Sequence, residues 1–90
     1  MATIFFLAHS RPSAQLMATY FETYCRCKLS NVMGAYTEHE NDFMISGDVE
    51  ETYIDDVMNA MQSFSRLFGH LFSFQTVDEE FKMYRVTMIK

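Results

Sequence analysis

Between Asp48 and Gly69 the chain keeps one helical pattern, with Tyr53, Ile54, Val57, Met58, Met61, Phe64 and Phe68 spaced three and four residues apart along a single stripe. A stripe that wide is costly to leave in water, so the rest of the chain must supply a surface that covers it. Asp48 followed three residues later by Glu51 resembles a capping box, with Asp in place of Ser or Thr. Gly69 stands where a left-handed C-terminal cap belongs. The spacing predicts a helix over 49–68.

The covering surface reads as a sheet. Residues 2–8, ATIFFLA, are almost wholly apolar, as in a strand covered on at least one face. Ser10, Arg11, Pro12 and Ser13 form a helix start, and Leu16, Met17, Tyr20, Phe21 and Tyr24 continue it, which predicts a helix over 12–27. Residues 32–38 and 42–46 read as a hairpin turning at His39, Glu40 and Asn41, although Met33-Gly34-Ala35 is weak strand material. Residues 71–77 and 81–90 read as two further strands around a turn at Asp78, Glu79 and Glu80. The last is apolar on both faces. It is expected at a sheet edge, pairing with or packing on a second copy to give a homodimer.

The order β-α-β-β-α-β-β predicts one α+β domain over 1–90. Its first six elements match the split β-α-β pattern of ferredoxin-like folds, which implies an antiparallel sheet with two helices on one face. In that arrangement Phe64 is expected against the first strand near Phe5 or Phe6. Element order alone carries no activity with it.

Composition narrows the class. A hydrophobic fraction of 49%, with nine Phe and five Tyr in 90 residues, excludes a disordered chain. The apolar run Ile4–Ala8 lacks a basic leader and is too short for a signal peptide or a membrane span, so a cytoplasmic setting without membrane contact is expected. Cys25 and Cys27 then need no disulfide. Two positions apart on a helix they would point about 200° from each other and could not share a metal.

Charge is the most distinctive signal. Leu29 to Ser65 holds eight acids (Glu38, Glu40, Asp42, Asp48, Glu50, Glu51, Asp55 and Asp56) and no Lys or Arg, while the flanking segments are slightly basic. Acids in a first helical turn interact favourably with the helix dipole by about 0.3–1 kcal/mol each, which accounts for Asp48, Glu50 and Glu51. Asp55 and Asp56 lie a turn further in. On a helix Asp48, Glu51, Asp55, Asn59 and Gln62 would share one exposed strip, with Glu51 and Asp55 repelling by about 0.2–0.5 kcal/mol.

No complete catalytic motif, phosphate loop or metal signature occurs, so neither an enzyme nor a bound cofactor is expected. His39 lies between Glu38 and Glu40, His9 precedes Ser10 at the end of the first strand, and His70 follows the Gly69 cap. No acid lies near His9 and Ser10 in sequence to complete a triad, and Ser10 reads as a helix cap. Direct nucleic-acid binding is disfavoured, because the basic aromatic signature of RNA-recognition sheets is missing and the net charge is −5.

The expectation is therefore a small acidic binding module. Its partner would be a basic surface on another protein, engaged by Glu38, Glu40, Asp42, Asp48, Glu51, Asp55 and Asp56. A sharper form is a DNA mimic: an inhibitor, of the type viruses direct at host nucleases or polymerases, whose carboxylates occupy a nucleic-acid-binding site. The alternative is a ferredoxin-like small-molecule-binding or regulatory domain working as a homo-oligomer.

Overall fold

The computed structural model describes residues 1–38 and 42–89. The expected turn at His39, Glu40 and Asn41 lies outside the described residues. The elements are β1 (Ala2–Ala8), α1 (Arg11–Cys25), β2 (Ser30–Tyr36), β3 (Phe43–Val49), a 3-10 helix (Glu51–Asp56), α2 (Val57–Phe68), β4 (Phe72–Asp78) and β5 (Met83–Met88). They form a single α+β domain, a five-stranded sheet with two helices.

The sheet is mixed, in the order β2-β3-β1-β5-β4. Strand β1 runs antiparallel to β3 and parallel to β5, so the expectation of a wholly antiparallel sheet is corrected. The β4–β5 hairpin folds back so that β5, not β4, takes the free side of β1. This also corrects the placing of the last strand at an edge. Apolar side chains on both faces of β5 fit an interior position, where Val86 and Met88 are buried. The free edges among the described strands are β2 and β4.

Alternation along β1 and β3 sets the layers. Ala2, Ile4, Phe6 and Ala8, with Phe43, Ile45 and Val49, are buried beneath the helices, while Thr3, Phe5, Leu7, Met44, Ser46 and Asp48 lie on the other face. Helix α1 starts as its sequence predicts, the Ser10 hydroxyl accepting from the Ser13 amide at 3.3 Å with Pro12 in the first turn. It packs on β1 and β3 and touches α2, where the Tyr20 hydroxyl and Ser63 Oγ hydrogen bond at 2.7 Å. Phe64 is fully buried, and its ring partners are Tyr20, Phe68, His70 and Phe72. It shares the core with Phe6, whose own ring partner is Phe21; Phe5 faces away on the open side of the sheet.

The second helical stretch differs from its expected form. Val49 pairs with Ala2 and Asp48 with Thr3, so β3 holds Asp48 in the sheet and no capping box forms. The chain then makes the 3-10 helix, with no side-chain cap from Glu50, before the α-helix begins at Val57. Gly69 closes α2 as expected, at φ 71°, its amide donating to the Ser65 carbonyl at 2.8 Å. Helix α1 ends at Cys25, with Arg26 left-handed at φ 50°. Cys27 therefore lies beyond the helix, and the two thiols are not on opposite sides of it.

Candidate functional site

The fold divides the acidic run between the two ends of the sheet. Strand β3 separates Asp42 from Glu50, and seven residues of strand span about 20 Å. Glu38 and Asp42 lie at the hairpin end; Glu40, assigned to the same surface from sequence, falls outside the described residues. Glu50, Glu51, Asp55 and Asp56 lie at the far end, around the corner from β3 into the 3-10 helix. The seven described acids therefore do not make one continuous face.

Both carboxylate oxygens of Asp48 are engaged within the sheet. It lies on the open sheet face, where Thr3 Oγ1 donates to one carboxylate oxygen at 2.7 Å and Asn31 Nδ2 to the other at 2.9 Å. The Ser30 hydroxyl donates to its backbone carbonyl at 3.3 Å. These bonds join β1, β2 and β3 at the β-bulge of β2, where Asn31 is left-handed at φ 51°. The bond from Asn31, then that from Thr3, holds the Asp48 carboxyl below the usual carboxylate range. Its contribution to stability is thus present at neutral pH and is lost as pH falls through that lowered value.

At the hairpin end the fold supplies what the sequence spacing hid. Asp42 Oδ1 lies 3.0 Å from His9 Nδ1, although the two are 33 positions apart. Arg11 stands over the Phe43 ring at 5.8 Å, and His9, Ser10, Arg11, Pro12 and Tyr36 line a shallow depression. The bond orients the imidazole, but Ser10 is engaged in capping, its hydroxyl also donating to Ser13 Oγ at 3.0 Å. The pair therefore lacks the nucleophile that a triad needs. Only pairing across the sheet brings His9 and Asp42 together, and one chain's residue spacing does not show it.

At the other end Glu50, Glu51, Asp55 and Asp56 are all exposed. The N-terminal ammonium lies 3.8 Å from Glu51, and among the described residues none of the four pairs with a Lys or Arg. Tyr53 and Ile54 pack against the core and anchor the segment from below. In a 3-10 helix four residues turn through about 480°, so Glu51 and Asp55 stand about 120° apart rather than about 40°. The expected single strip of Asp48, Glu51, Asp55, Asn59 and Gln62 is thus broken. The carboxylates fan outward and repel one another less than on an α-helix.

Two thiols lie behind this end. Burial, then the neighbouring Cys27 and Asp56, pushes the Cys25 thiol up to about 11. Burial, then Glu22 and Asp56, also raises that of Cys27. Both thiols are protonated at neutral pH. A thiol raised that far carries little thiolate even in mild base, and the greater nucleophilicity of a basic thiolate restores only part of the rate. Cys25 in the native protein is expected to alkylate with iodoacetamide at about pH 8 roughly tenfold more slowly than in the urea-unfolded chain. Mass spectrometry of timed samples checks this, and equal rates would contradict the half-buried placement beside Asp56.

A separate groove of about 270 Å³ opens between α2 and β4, lined by Met58, Met61, Leu71, Phe72 and Phe74 with Gln62 and Ser65 as its polar groups. Among the described residues no group of three His, Cys, Asp or Glu gathers to hold a metal ion, and no helix is long and apolar enough to cross a membrane. Comparison of the chain with protein-family models, with curated proteins and with solved structures gives no match.

Proposed function

We propose that this chain is a non-catalytic, cytoplasmic protein-binding module that presents its carboxylate end to a basic surface on another protein. The observation that carries the reading is the corner formed by Glu50, Glu51, Asp55 and Asp56. Four exposed acids follow one another over seven residues without a Lys or Arg partner among the described residues. An acidic helix start within an ordinary solvated surface needs no such concentration on a turn anchored by Tyr53 and Ile54. Asp48 and Asp42 make bonds of their own and Glu38 lies at the other end of the sheet, so the reading rests on the four corner acids.

The basic surface best suited to this corner is one that otherwise binds phosphates, because duplex DNA presents about one charge per 1.7 Å of axis and its binding sites are lined with Lys and Arg. We read the chain in that sense as an inhibitor of the DNA-mimic kind. We also read the architecture as ferredoxin-like with one strand added. The support is the β1-α1-β2 and β3-α2-β4 order, with β5 inserted between β1 and β4.

Competition tests the function. A basic nucleic-acid-handling protein, purified on heparin and bound to a labelled duplex, is expected to release the duplex as this protein is added. Release that persists with Asp55→Asn/Asp56→Asn at wild-type potency would count against the corner. The groove under α2 favours a second reading as a small-molecule-binding domain, since a concave apolar site with few polar groups suits a ligand. Binding of a fluorescent apolar dye by wild type but not by a folded Met58→Lys variant would support that alternative.

A further inference from the structure

The strand register gathers two acidic segments that are far apart in sequence. Thr3 pairs with Asp48 on one side of β1 and with Met83 on the other, so the end of β3 and the start of β5 flank the start of β1. The Thr3 amide donates to the Lys82 carbonyl at 2.9 Å, and the N-terminal ammonium lies 3.8 Å from Glu51. The turn between β4 and β5 therefore stands at the same end of the sheet as Glu50 and Glu51, with two strand spacings, about 10 Å, between β3 and β5. It adds Asp78, Glu79 and Glu80 to the corner acids, with Lys82 as its one cation. Arg26 and Lys28 also reach this end, between α1 and β2, on the side away from the turn.

The same turn holds an aromatic ring out of the core. The Phe81 amide donates to Asp78 Oδ1 at 3.1 Å, and Lys82 is left-handed at φ 54°. Both devices act on the backbone and neither requires an apolar side chain at position 81, yet Phe81 is 68% exposed. Val77 lies at the register shift of β4, and Met1 stands two residues before Thr3 as Phe81 stands two before Met83. They are exposed by 50% and 71%. Met1, Val77 and Phe81 thus put apolar surface at the end of the sheet that carries the acids.

We propose that Phe81 is the apolar anchor of the partner-binding end, entering a pocket that basic side chains frame on the partner. This rests on the corner reading, and the partner is then a basic amphipathic surface, with Lys and Arg around an apolar centre. Charge complementarity selects that occupant, because Glu79 and Glu80 precede the ring and Glu51 lies at the same end of the sheet. A purely apolar partner would desolvate those carboxylates without countercharges, and a nucleic acid would set phosphates against them. The two kinds of group divide the work: exposed carboxylates hasten encounter, and a buried aromatic ring slows release.

Two synthetic peptides test this, one of Lys and Leu placed at helical spacing and one of equal length and charge with Ser in place of Leu. Fluorescence anisotropy of the labelled peptides at about 0.1 M salt gives the affinities. Wild type is expected to bind both, and to hold the Lys–Leu peptide roughly tenfold tighter. Phe81→Ala is expected to abolish that preference and Phe81→Leu to keep most of it, while Asp55→Asn/Asp56→Asn weakens both peptides by the same factor. Position 81 is exposed, so an unchanged melting temperature verifies that its variants are folded. Equal binding of the two peptides by wild type, or a preference that survives Phe81→Ala, overturns the proposal; the corner reading then stands if Asp55→Asn/Asp56→Asn still weakens both. Wild type that binds neither peptide overturns both.

Discussion

Phe64→Ala is expected to lower the free energy of unfolding by about 3–5 kcal/mol, the usual cost of removing a fully buried Phe. Phe64 has no exposed surface, and its ring lies among four others: Tyr20 of α1 at 5.2 Å, Phe68 of α2 at 4.6 Å, Phe72 of β4 at 5.2 Å, and His70 at 5.9 Å. The contacts with Tyr20 and Phe72 are edge-on, the favourable geometry for aromatic pairs. Collapse around the gap is restricted, because Tyr20 is tied to Ser63 and Phe72 is fixed by the β4–β5 hairpin. A loss of that size is a large part of the stability of a domain of 90 residues. Urea unfolding followed by circular dichroism checks it. A variant that loses less than about 1 kcal/mol would show that this ring is not the junction of the two helices and the sheet.

Gly47→Ala is expected to destabilise by about 1–3 kcal/mol, opposite in sign to the small gain that Ala in place of Gly brings where there is room. Gly47 lies in β3 opposite Ile4, on the helix side of the sheet. A Cβ there would sit 2.8 Å from Leu29 Cβ and 3.2 Å from Leu29 Cδ1. Leu29 cannot step aside easily, because it is buried and its amide donates to Glu22 Oε2 at 2.9 Å. Gly34 makes the comparison: its nearest contact would be Phe43 Cζ at 2.9 Å, the far end of a ring that can tilt. Gly34→Ala is therefore expected to cost less than Gly47→Ala in the same urea titration. The reverse order would place the tight contact on the wrong side of β3.

These two sites mark what a single sequence reveals and what it hides. Of the stripe from Tyr53 to Phe68, Val57, Met61 and Phe64 are buried on α2, whereas Met58 and Phe68 are exposed and Tyr53 and Ile54 fall in the 3-10 helix; Ser10 with Pro12 identifies the start of α1, because that signal is local. Ser10 caps α1, and Gly69 ends α2 in the left-handed conformation expected of it. The start of the second helix is misleading in the sequence because Asp48 and Val49 satisfy two patterns at once. As a helix start they form a capping sequence; as strand residues they pair with Thr3 and Ala2, and the longer-range pairing prevails. The same strand register places Asp48 in a bond network with Thr3 and Asn31.

Strand order is hidden for a related reason. An apolar strand of two faces is compatible with an interior position or a dimer contact, and only the return of the β4–β5 hairpin alongside β1 decides between them. Segment charge is legible and its distribution in space is not. The acids of residues 29–65 are close in sequence, yet β3 carries Asp42 and Glu50 to opposite ends of the sheet. His9 and Asp42 show the converse, far apart in sequence and 3.0 Å apart in the fold.

The corner at Glu50, Glu51, Asp55 and Asp56 is proposed to steer association with a basic protein. Its most direct test is the association rate of wild type and of Asp55→Asn/Asp56→Asn with one heparin-purified nucleic-acid-binding partner, measured at about 0.1 M and about 1 M salt, where the Debye length falls from about 10 Å to about 3 Å. Both substitutions are on exposed residues of the 3-10 helix, so the stability of the fold is expected to stay within a few tenths of a kcal/mol of wild type. For the double variant, association is expected to slow roughly three- to tenfold at the lower salt with dissociation nearly unchanged, and the difference to vanish at the higher salt. Equal association rates for the two proteins at both salt concentrations would contradict it.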